Sequence, residues 1–397
     1  MSRPLEGVRV LDFTWAQQGP YATVMLSDMG AEIIKIEPRR GDMGRNIVFS
    51  SGGIPAPAPY FVAHDRGKRS VTLDITTERG REIALQFAER VDVAVNNMRP
   101  GVLEKLRLGY EDMRRVNPRI VFASASAYGP LGPMAPLPGF DIVGQAAGGI
   151  MSKTGKEGDP PMPAGAAIGD QVGAIYLCAG ILGGLVKASR TGEGTQVDIS
   201  LYGTQIGLQS WEITNEAMLG AVSPRAGNGH PLITPHSAWG GYATSDGGIV
   251  LGGINGERFA SLCGIMGVPE LAEKFPTDAE RATNMVTIRP VLQERFRQRS
   301  TADWLEEFRR MDVIAGPVQT YGDVIQDPQA WANGYLTETD HPALGRVKIV
   351  GAPIQYDREP TVPQGPPPEL GDSTEMYLEE LGYSWEEIER LRADEVI

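Results

Sequence analysis

Short β-branched runs alternate with helix-patterned segments through the first half of this chain, and that alternation limits the fold more than any other feature. Val8–Phe13 reads as a strand, Tyr21–Met29 as a helix and Glu32–Glu37 as a second strand. Ser70–Ile75, Asp92–Asn96 and Arg119–Ser124 read as further strands, with a helix predicted over Glu78–Arg90. Such spacing builds βαβ units and a mainly parallel sheet covered by helices. Sheets of this kind bind ligands at the carboxyl ends of their strands. The first strand runs into Thr14-Trp15-Ala16-Gln17-Gln18-Gly19-Pro20, without a G-x-G-x-x-G. A dinucleotide therefore lacks its usual sequence support, and no P-loop occurs either.

A Pro/Gly-rich connection, Gly129 to Gly139, leads to helical patterns over Ile142–Met151 and Gln171–Ser189. A strand over Thr195–Ser200 and a helix from Leu201 to Leu219 follow. After Pro224 the character changes: Trp239–Thr244 and Gly248–Gly252 read as a hairpin around Ser245-Asp246-Gly247. Helices are predicted over Gly256–Met266, Glu280–Arg299 and Thr301–Met311. The expected architecture is α/β, with a large Rossmann-like domain begun by residues 1–224 and a smaller α+β domain at 225–325. Residues 326–397, with a strand-like Val347–Val350, a proline-rich strap Pro360–Pro368 and a helix over Ser384–Arg392, form the C-terminal segment.

The net charge of −13 argues against nucleic acid as a partner. Residues 1–120 nevertheless carry 18 Lys and Arg against 15 Asp and Glu, whereas the rest carries 19 against 35. A basic segment in an acidic protein suits a small anionic ligand. Arg39-Arg40, Arg45, Arg66-Gly67-Lys68-Arg69, Arg99 and Lys105 supply the guanidinium forks and ammonium groups a phosphate would need. The segment Met1–Gly7 has no apolar core of the secretory kind. The apolar run Val172–Val186, broken by four glycines, is short for a bilayer and reads as a buried helix. Cys178 and Cys263 are the only cysteines, which fits a reducing cytoplasm better than a disulfide framework.

Asp170 is the candidate chemical group. It ends the Gly/Ala-rich stretch Gly165–Gly169 and stands directly before the most apolar helical segment. An Asp there is expected to cap the helix and, through the helix dipole, to stay ionised. An ionised carboxylate is what a carboxylate nucleophile requires. The histidines His64, His230, His236 and His341 form no close metal-ligand pair, so no metal site is expected. No G-x-S-x-G elbow occurs.

Taken together, several segments carry a family resemblance. They are Gly7-Val8-Arg9-Val10-Leu11-Asp12-Phe13-Thr14, Gln17 with Gly19-Pro20, and Gly30-Ala31-Glu32-Ile33-Ile34-Lys35-Ile36-Glu37. Lys68–Asp74, Asn97-Met98-Arg99-Pro100-Gly101, Gly169-Asp170, Thr191-Gly192-Glu193-Gly194 and Ala315-Gly316-Pro317-Val318 continue it. The chain resembles the class III coenzyme A transferases, the CaiB/BaiF family that includes formyl-CoA transferase, over essentially its whole length.

The resemblance implies that Asp170 is the nucleophile, passing through an acyl–aspartyl anhydride and an aspartyl-CoA thioester. It implies acyl-CoA and a carboxylic acid as substrates, no tightly bound cofactor, and an interlocked homodimer whose C-terminal segment returns to the large domain. CoA is expected along Gln17, Arg39, Leu73, Asn97, Met98, Arg99 and Lys105, with Gln17 in support of Asp170 and Asp141 either in support of it or serving as a loop or helix cap. Two departures stand out. Pro38 replaces a usual basic residue, and the short Gly227-Asn228-Gly229-His230-Pro231 replaces the all-glycine loop of the formyl-CoA branch. A larger acyl group is therefore expected, touched by His230, with succinyl-CoA as donor and a substituted succinate or other dicarboxylate as acceptor. Two alternatives are a 2-methylacyl-CoA racemase and a non-catalytic CoA-binding protein. The first is opposed by Phe140, where the racemase branch has a proton-exchanging His; the second by the retained Asp170.

Overall fold

The computed structural model describes residues 3–47, 57–310 and 313–397. The chain divides into two compact units. The first contains residues 1–148, 166–208 and 327–397, and the second contains 149–165 and 209–326. The division differs from the boundary expected at 224/225. Residues 149–165 and 209–224 go with the smaller unit, where Arg225 hydrogen-bonds the Ser152 and Asp159 carbonyls and Lys153 reaches Glu216.

The first unit is built on a six-stranded parallel sheet. In chain order its elements begin with β1 (Arg9–Asp12), α1 (Gln18–Asp28), β2 (Glu32–Glu37), α2 (Pro59–Asp65) and β3 (Arg69–Thr72). Then come α3 (Glu78–Ala88), β4 (Val93–Asn96), α4 (Val102–Lys105), α5 (Tyr110–Val116) and β5 (Val121–Ser126). The last are α6 (Asp141–Ala147), α7 (Ile168–Thr191), β6 (Thr195–Ser200) and α8 (Leu201–Leu208). The strand order is β3-β2-β1-β4-β5-β6. Order therefore reverses between β1 and β4, which opens a crevice at their carboxyl ends. Helices cover both faces, one core gathering Leu11, Ile34 and Phe122 with Tyr377 and Ile388, the other Val10, Ile33 and Val95 with Leu177 and Ile181. The expected sheet strands are all present. The predicted helix Ile142–Met151 stops at Ala147, because Gly149 at φ +92° starts a separate 3-10 turn.

Helix α7 is longer than the apolar run suggested. By length and composition its 24 residues could cross a membrane. One face of it packs into the core, where Ala174, Leu177 and Ile181 are fully buried at helical spacing, while Ile175, Tyr176 and Val186 face outward. A Cβ on Gly180 or Gly184 would lie 2.6 Å from Val197 or Val121, so the glycines let α7 settle directly on β6 and β5. Residues 327–397 add contacts of their own to this unit. Tyr377 donates to Glu32 at 2.6 Å, Thr72 N–H to Thr374 at 3.0 Å and Asp74 N–H to the Val396 carbonyl at 2.7 Å.

The second unit holds α9 (Ser210–Leu219), β7 (Gly240–Ala243), β8 (Gly248–Gly252), α10 (Glu257–Ile265), α11 (Pro269–Lys274), α12 (Asp278–Phe296), α13 (Thr301–Arg310) and β9 (Ile314–Pro317). The expected hairpin is β7–β8, completed by β9 into a three-stranded antiparallel sheet. The helix predicted through Leu201–Leu219 is instead two, α8 and α9, broken at Gln209 (φ −102°, ψ 31°). Of the predicted helix Thr301–Met311, Met311 lies outside the described residues, as do Met1 and Ser2 of the N-terminal segment.

A fully buried ion cluster lies at the carboxyl end of β1, beside Lys35 of β2 and Lys68 just ahead of β3. Lys35 contacts Asp42 at 2.7 Å and Asp65 at 3.2 Å, while Lys68 contacts Asp65 at 2.8 Å and Asp12 at 3.1 Å. Burial alone would push the carboxyls up and Lys35 down. The mutual charges win: Asp12 and Asp65 are held below the usual carboxylate range and Lys35 above the usual amine range. Arg45 pairs with Glu37 at 2.6 Å, and Arg66 with Asp28 at 2.5 Å. Arg45, Arg66 and Lys68, expected as phosphate groups, are thus committed to internal carboxylates. Their charge fills the protein's own demand before any ligand's. Removing one member leaves buried charges uncompensated, a loss of about 3–5 kcal/mol. Lys35→Met is expected to lower unfolding stability by about that amount in a urea titration; a loss below ~1 kcal/mol would show the cluster to be dispensable.

Candidate active site

Three strand ends supply the walls of a cleft of about 190 Å³ in the first unit. Trp15, Ala16, Gln17 and Gln18 follow β1, Asn97, Met98, Arg99 and Pro100 follow β4, and Ser126 and Ala127 end β5. Leu137–Phe140, Leu201 and Asp170 complete it. This is the crevice that the strand-order reversal requires.

The first loop is clamped to the second. Trp15 N–H donates to Asn97 Oδ1 at 3.0 Å, and Asn97 Nδ2 returns a bond to the Trp15 carbonyl at 2.7 Å. Below, Asp12 accepts from Thr14 N–H (2.8 Å), Thr14 Oγ1 (2.5 Å) and Thr23 Oγ1 (2.7 Å). Lys35 Nζ donates to the Thr14 carbonyl at 2.9 Å. Ala16 takes φ +63°, a left-handed conformation unfavourable to a residue with a Cβ. Gly19 has no room for a side chain, since a Cβ would sit 2.4 Å from Thr14 Cβ.

Asp170 comes from α7, but not as its cap. Ala167 is the N-cap and Asp170 the third helical residue. The capping is done from α6: Asp141 Oδ1 accepts from Gly169 N–H at 2.6 Å and from Asp170 N–H at 3.1 Å, and Gln145 Nε2 holds Asp141 Oδ2 at 2.6 Å. A Cβ on Gly169 would lie 2.8 Å from Asp141 Oδ1, so only glycine admits this carboxylate. The Asp170 carboxylate itself accepts no hydrogen bond among the described residues. Burial, and then the nearby Asp141 charge, push its pKa up to about 7. The expectation of a capping Asp held ionised is corrected accordingly: the cap is Asp141, and Asp170 is a half-buried carboxyl with a raised pKa.

Gln17, Asn97, Met98 and Arg99 are gathered at the cleft with Asp170. Leu73 is not; its side chain is 2% exposed in the sheet core. Arg39 lines a different depression with Thr72, Thr374 and Arg392, and pairs loosely with Glu395 at 3.3 Å. Lys105 is exposed in the last turn of α4 and does not line the cleft. His230 belongs to the second unit. Its Nδ1 accepts from Leu232 N–H at 3.2 Å, so Nε2 carries the proton donated to Glu212 at 2.7 Å, and its ring stacks on Trp211. Both ring nitrogens are engaged there.

Two residues escaped the sequence reading. Tyr60 of α2 lies within the field of Asp170: burial, then the charges of Asp170 and Asp42, push its phenol above the usual range. Gln18 is buried beside the cleft. Neither sits in a local pattern that marks it, because sheet and helix contacts bring them near.

The comparisons with known proteins bear on the same arrangement. The profile of CoA-transferase family III matches residues 5–374. Succinyl-CoA:glutarate CoA-transferase of Mus musculus is 34% identical over 399 residues, covering 100% of this chain and 90% of that protein. Succinyl-CoA:mesaconate CoA-transferase of Haloarcula hispanica is 33% identical, covering 95% and 96%. A crystal structure of a CaiB/BaiF family protein from Brucella suis superposes with a TM-score of 0.84 at 31% identity, covering 96% of this chain and 100% of that one.

The Asp170 environment makes a signed prediction. Its folded pKa of about 7 lies above the ordinary carboxyl value of 3.8. Its stabilising contribution is therefore complete below about pH 4 and lost as pH rises to about 7. Asp170→Asn should raise the melting temperature at pH 8 relative to the parent protein, and the gain should shrink toward pH 4. A constant difference across that range would refute the raised pKa. If ionised Asp170 is the reacting form, kcat/KM should climb with pH through a single ionisation near 7, and Asp141→Asn should move that ionisation downward.

Proposed function

The chain belongs to CoA-transferase family III and is a CoA-transferase, and from that premise we propose that Asp170 carries the exchange covalently. The Asp170 carboxylate attacks the thioester carbonyl of the donor acyl-CoA, giving an acyl–aspartyl anhydride and CoA thiolate. The thiolate attacks the aspartyl carbonyl carbon, forming an Asp170–CoA thioester and releasing the donor acid. The acceptor carboxylate then attacks this thioester, and the expelled thiolate takes the acceptor's acyl group from the new anhydride. Each step exchanges one acyl bond for another, so the thioester energy stays in covalent form. The observation that carries this reading is an Asp170 carboxylate in the cleft with its backbone capped by another residue and its own oxygens unengaged.

CoA is proposed to enter along Gln17, Asn97, Met98 and Arg99, with Arg39 and Lys105 meeting its phosphates. Arg39 can exchange its exposed Glu395 partner for a phosphate at little loss, because exposed pairs contribute little. Leu73 would contribute only its backbone. The donor and acceptor are proposed to be succinyl-CoA and a dicarboxylate. Support comes from the names of two relatives, which act on glutarate and mesaconate, and from the exposed Trp15 and Phe140 beside the cleft, which suit a carbon chain longer than formyl. A homodimer of interlocked subunits in the cytoplasm completes the proposal. Ile142 and Val143 on α6 and Ile175, Tyr176 and Val186 on α7 leave apolar surface exposed, which favours a partner.

Incubation with succinyl-CoA and glutarate, a hydroxylamine quench and peptide mass spectrometry test the route. A hydroxamate on Asp170, formed only with acyl-CoA, is the expected result. Asp170→Ala should lose activity by about 10⁴-fold or more; full exchange by that variant would sink the proposal.

A further inference from the structure

Gln18 begins α1, is 5% exposed, and its Nε2 has no hydrogen-bond partner among the described residues. A buried amide donor without an acceptor is unfavourable, so its retention calls for an acceptor that the described residues do not supply. The position of the amide indicates what that acceptor is. Gln18 lies flat on α7 at Gly173: a Cβ there would meet Gln18 Nε2 at 2.1 Å, Cδ at 3.0 Å and Cγ at 3.1 Å. Asp170 precedes Gly173 by three residues, and helical residues so spaced share one face with Cβ positions about 5–6 Å apart. Gln18 and Asp170 line the same cleft. A donor and a carboxylate, each without a hydrogen-bond partner for its side chain among the described residues, therefore line one cleft.

We propose that Gln18 Nε2 donates to the aspartyl carbonyl oxygen of acylated Asp170, stabilising the negative charge that oxygen gains. The assignment rests on the covalent aspartyl route. When CoA thiolate attacks the aspartyl carbon of the anhydride, a C–S bond forms and the C=O pair moves onto the aspartyl oxygen. The pair then returns, the C–O bond to the donor acyl group breaks, and the donor acid leaves as its carboxylate. When the acceptor carboxylate attacks the thioester, the same oxygen takes the charge again and thiolate leaves. One donor thus serves both reactions at that carbon. It needs no reorganisation, because α1 and the Gly173 notch already fix it. In the resting state the oxygen is a free carboxylate oxygen that does not reach Gln18, so the bond is specific to the acylated enzyme.

Gln18→Met keeps the volume and deletes the donor. With succinyl-CoA and glutarate, kcat should fall about 10²–10³-fold, the loss seen when one oxyanion donor is removed. The Kd for CoA should stay within twofold, and anhydride should accumulate over aspartyl-CoA thioester in rapid-quench mass spectra. A folded Gln18→Met protein with kcat within threefold of the parent overturns the assignment. A cycle guards against a merely structural effect. Gly173→Ala displaces the amide, so it should reduce kcat alone but have no further effect in Gln18→Ala, whose short side chain leaves room. Additive losses in the double variant overturn the proposal. Asp170→Ala, assayed alongside, separates the two readings. If it retains exchange, the covalent route and the Gln18 assignment both fall; if it is inactive while Gln18→Met is unimpaired, only the Gln18 assignment falls.

Discussion

The cleft depends on charges that never reach it. Lys35 of β2 and Lys68, just ahead of β3, are sealed with Asp12, Asp42 and Asp65 beside the carboxyl end of β1, and the mutual charges hold Lys35 above the usual amine range and Asp12 and Asp65 below the usual carboxylate range. Such a cluster contributes little net stability compared with a well-packed apolar core, but it is intolerant of losing one partner. Its use here is positional. Lys35 holds the Thr14 carbonyl, Asp12 holds the Thr14 and Thr23 hydroxyls, and the strained turn at Ala16 follows directly. The clamp between Trp15 and Asn97 then ties that turn across the reversal point of the sheet. A loop that would otherwise relax out of φ +63° is held there from below and from the side, and Gln17 and Gln18 are presented as a consequence.

A second division of labour frees the Asp170 carboxylate from capping. A carboxylate in the first turn of a helix is ordinarily occupied by the unpaired N–H groups around it. Asp141, reaching over from α6 through the gap that Gly169 leaves, takes the N–H groups of residues 169 and 170 instead. Asp170 is left near the positive end of α7 with its own lone pairs unspent. The expense is electrostatic. Two carboxyls close together and partly buried raise the pKa of one of them, and here it is Asp170.

Which of this the sequence disclosed follows from range. The strands Glu32–Glu37 and Thr195–Ser200 were legible because β-branched runs between helical patterns are a local signal, and the family motifs pointed to Asp170, which the structure places at the cleft. The cleft residues Gln17, Asn97 and Met98 lie in loops just after strands, where the general rule for α/β sheets already looks for ligands. What was illegible is pairing. Arg45, Arg66 and Lys68 look like free cations in a sequence; the structure shows each facing a buried carboxylate tens of residues away or on another strand. The cap on α7 comes from Asp141, so an N-cap reading confined to neighbours of Asp170 names the wrong residue. The break at Gln209 and the core position of Leu73 are likewise tertiary outcomes, since apolar helical pattern continues through the first and a strand-end Leu is equally at home in either setting.

The raised basicity of Asp170 also bears on the direction of the covalent route proposed above. A mixed anhydride between Asp170 and the donor acid offers the returning thiolate two carbonyl carbons. Attack on the donor's carbon expels the Asp170 carboxylate and merely restores the starting thioester. Attack on the aspartyl carbon expels the donor acid and moves the exchange forward. Leaving groups depart faster as their basicity falls, and an ordinary carboxylic acid ionises at about 4.3, whereas Asp170 in this environment is pushed up to about 7. On the proposed route, a donor acid that keeps its ordinary acidity in the cleft would be the better leaving group of the two, and the anhydride would be biased toward the aspartyl thioester. The same basicity makes Asp170 the stronger nucleophile toward the incoming thioester once ionised. Burial and the Asp141 charge would thus act on both halves of the proposed step, and neither effect would survive if Asp170 were the hydrogen-bonded cap that its sequence position suggests.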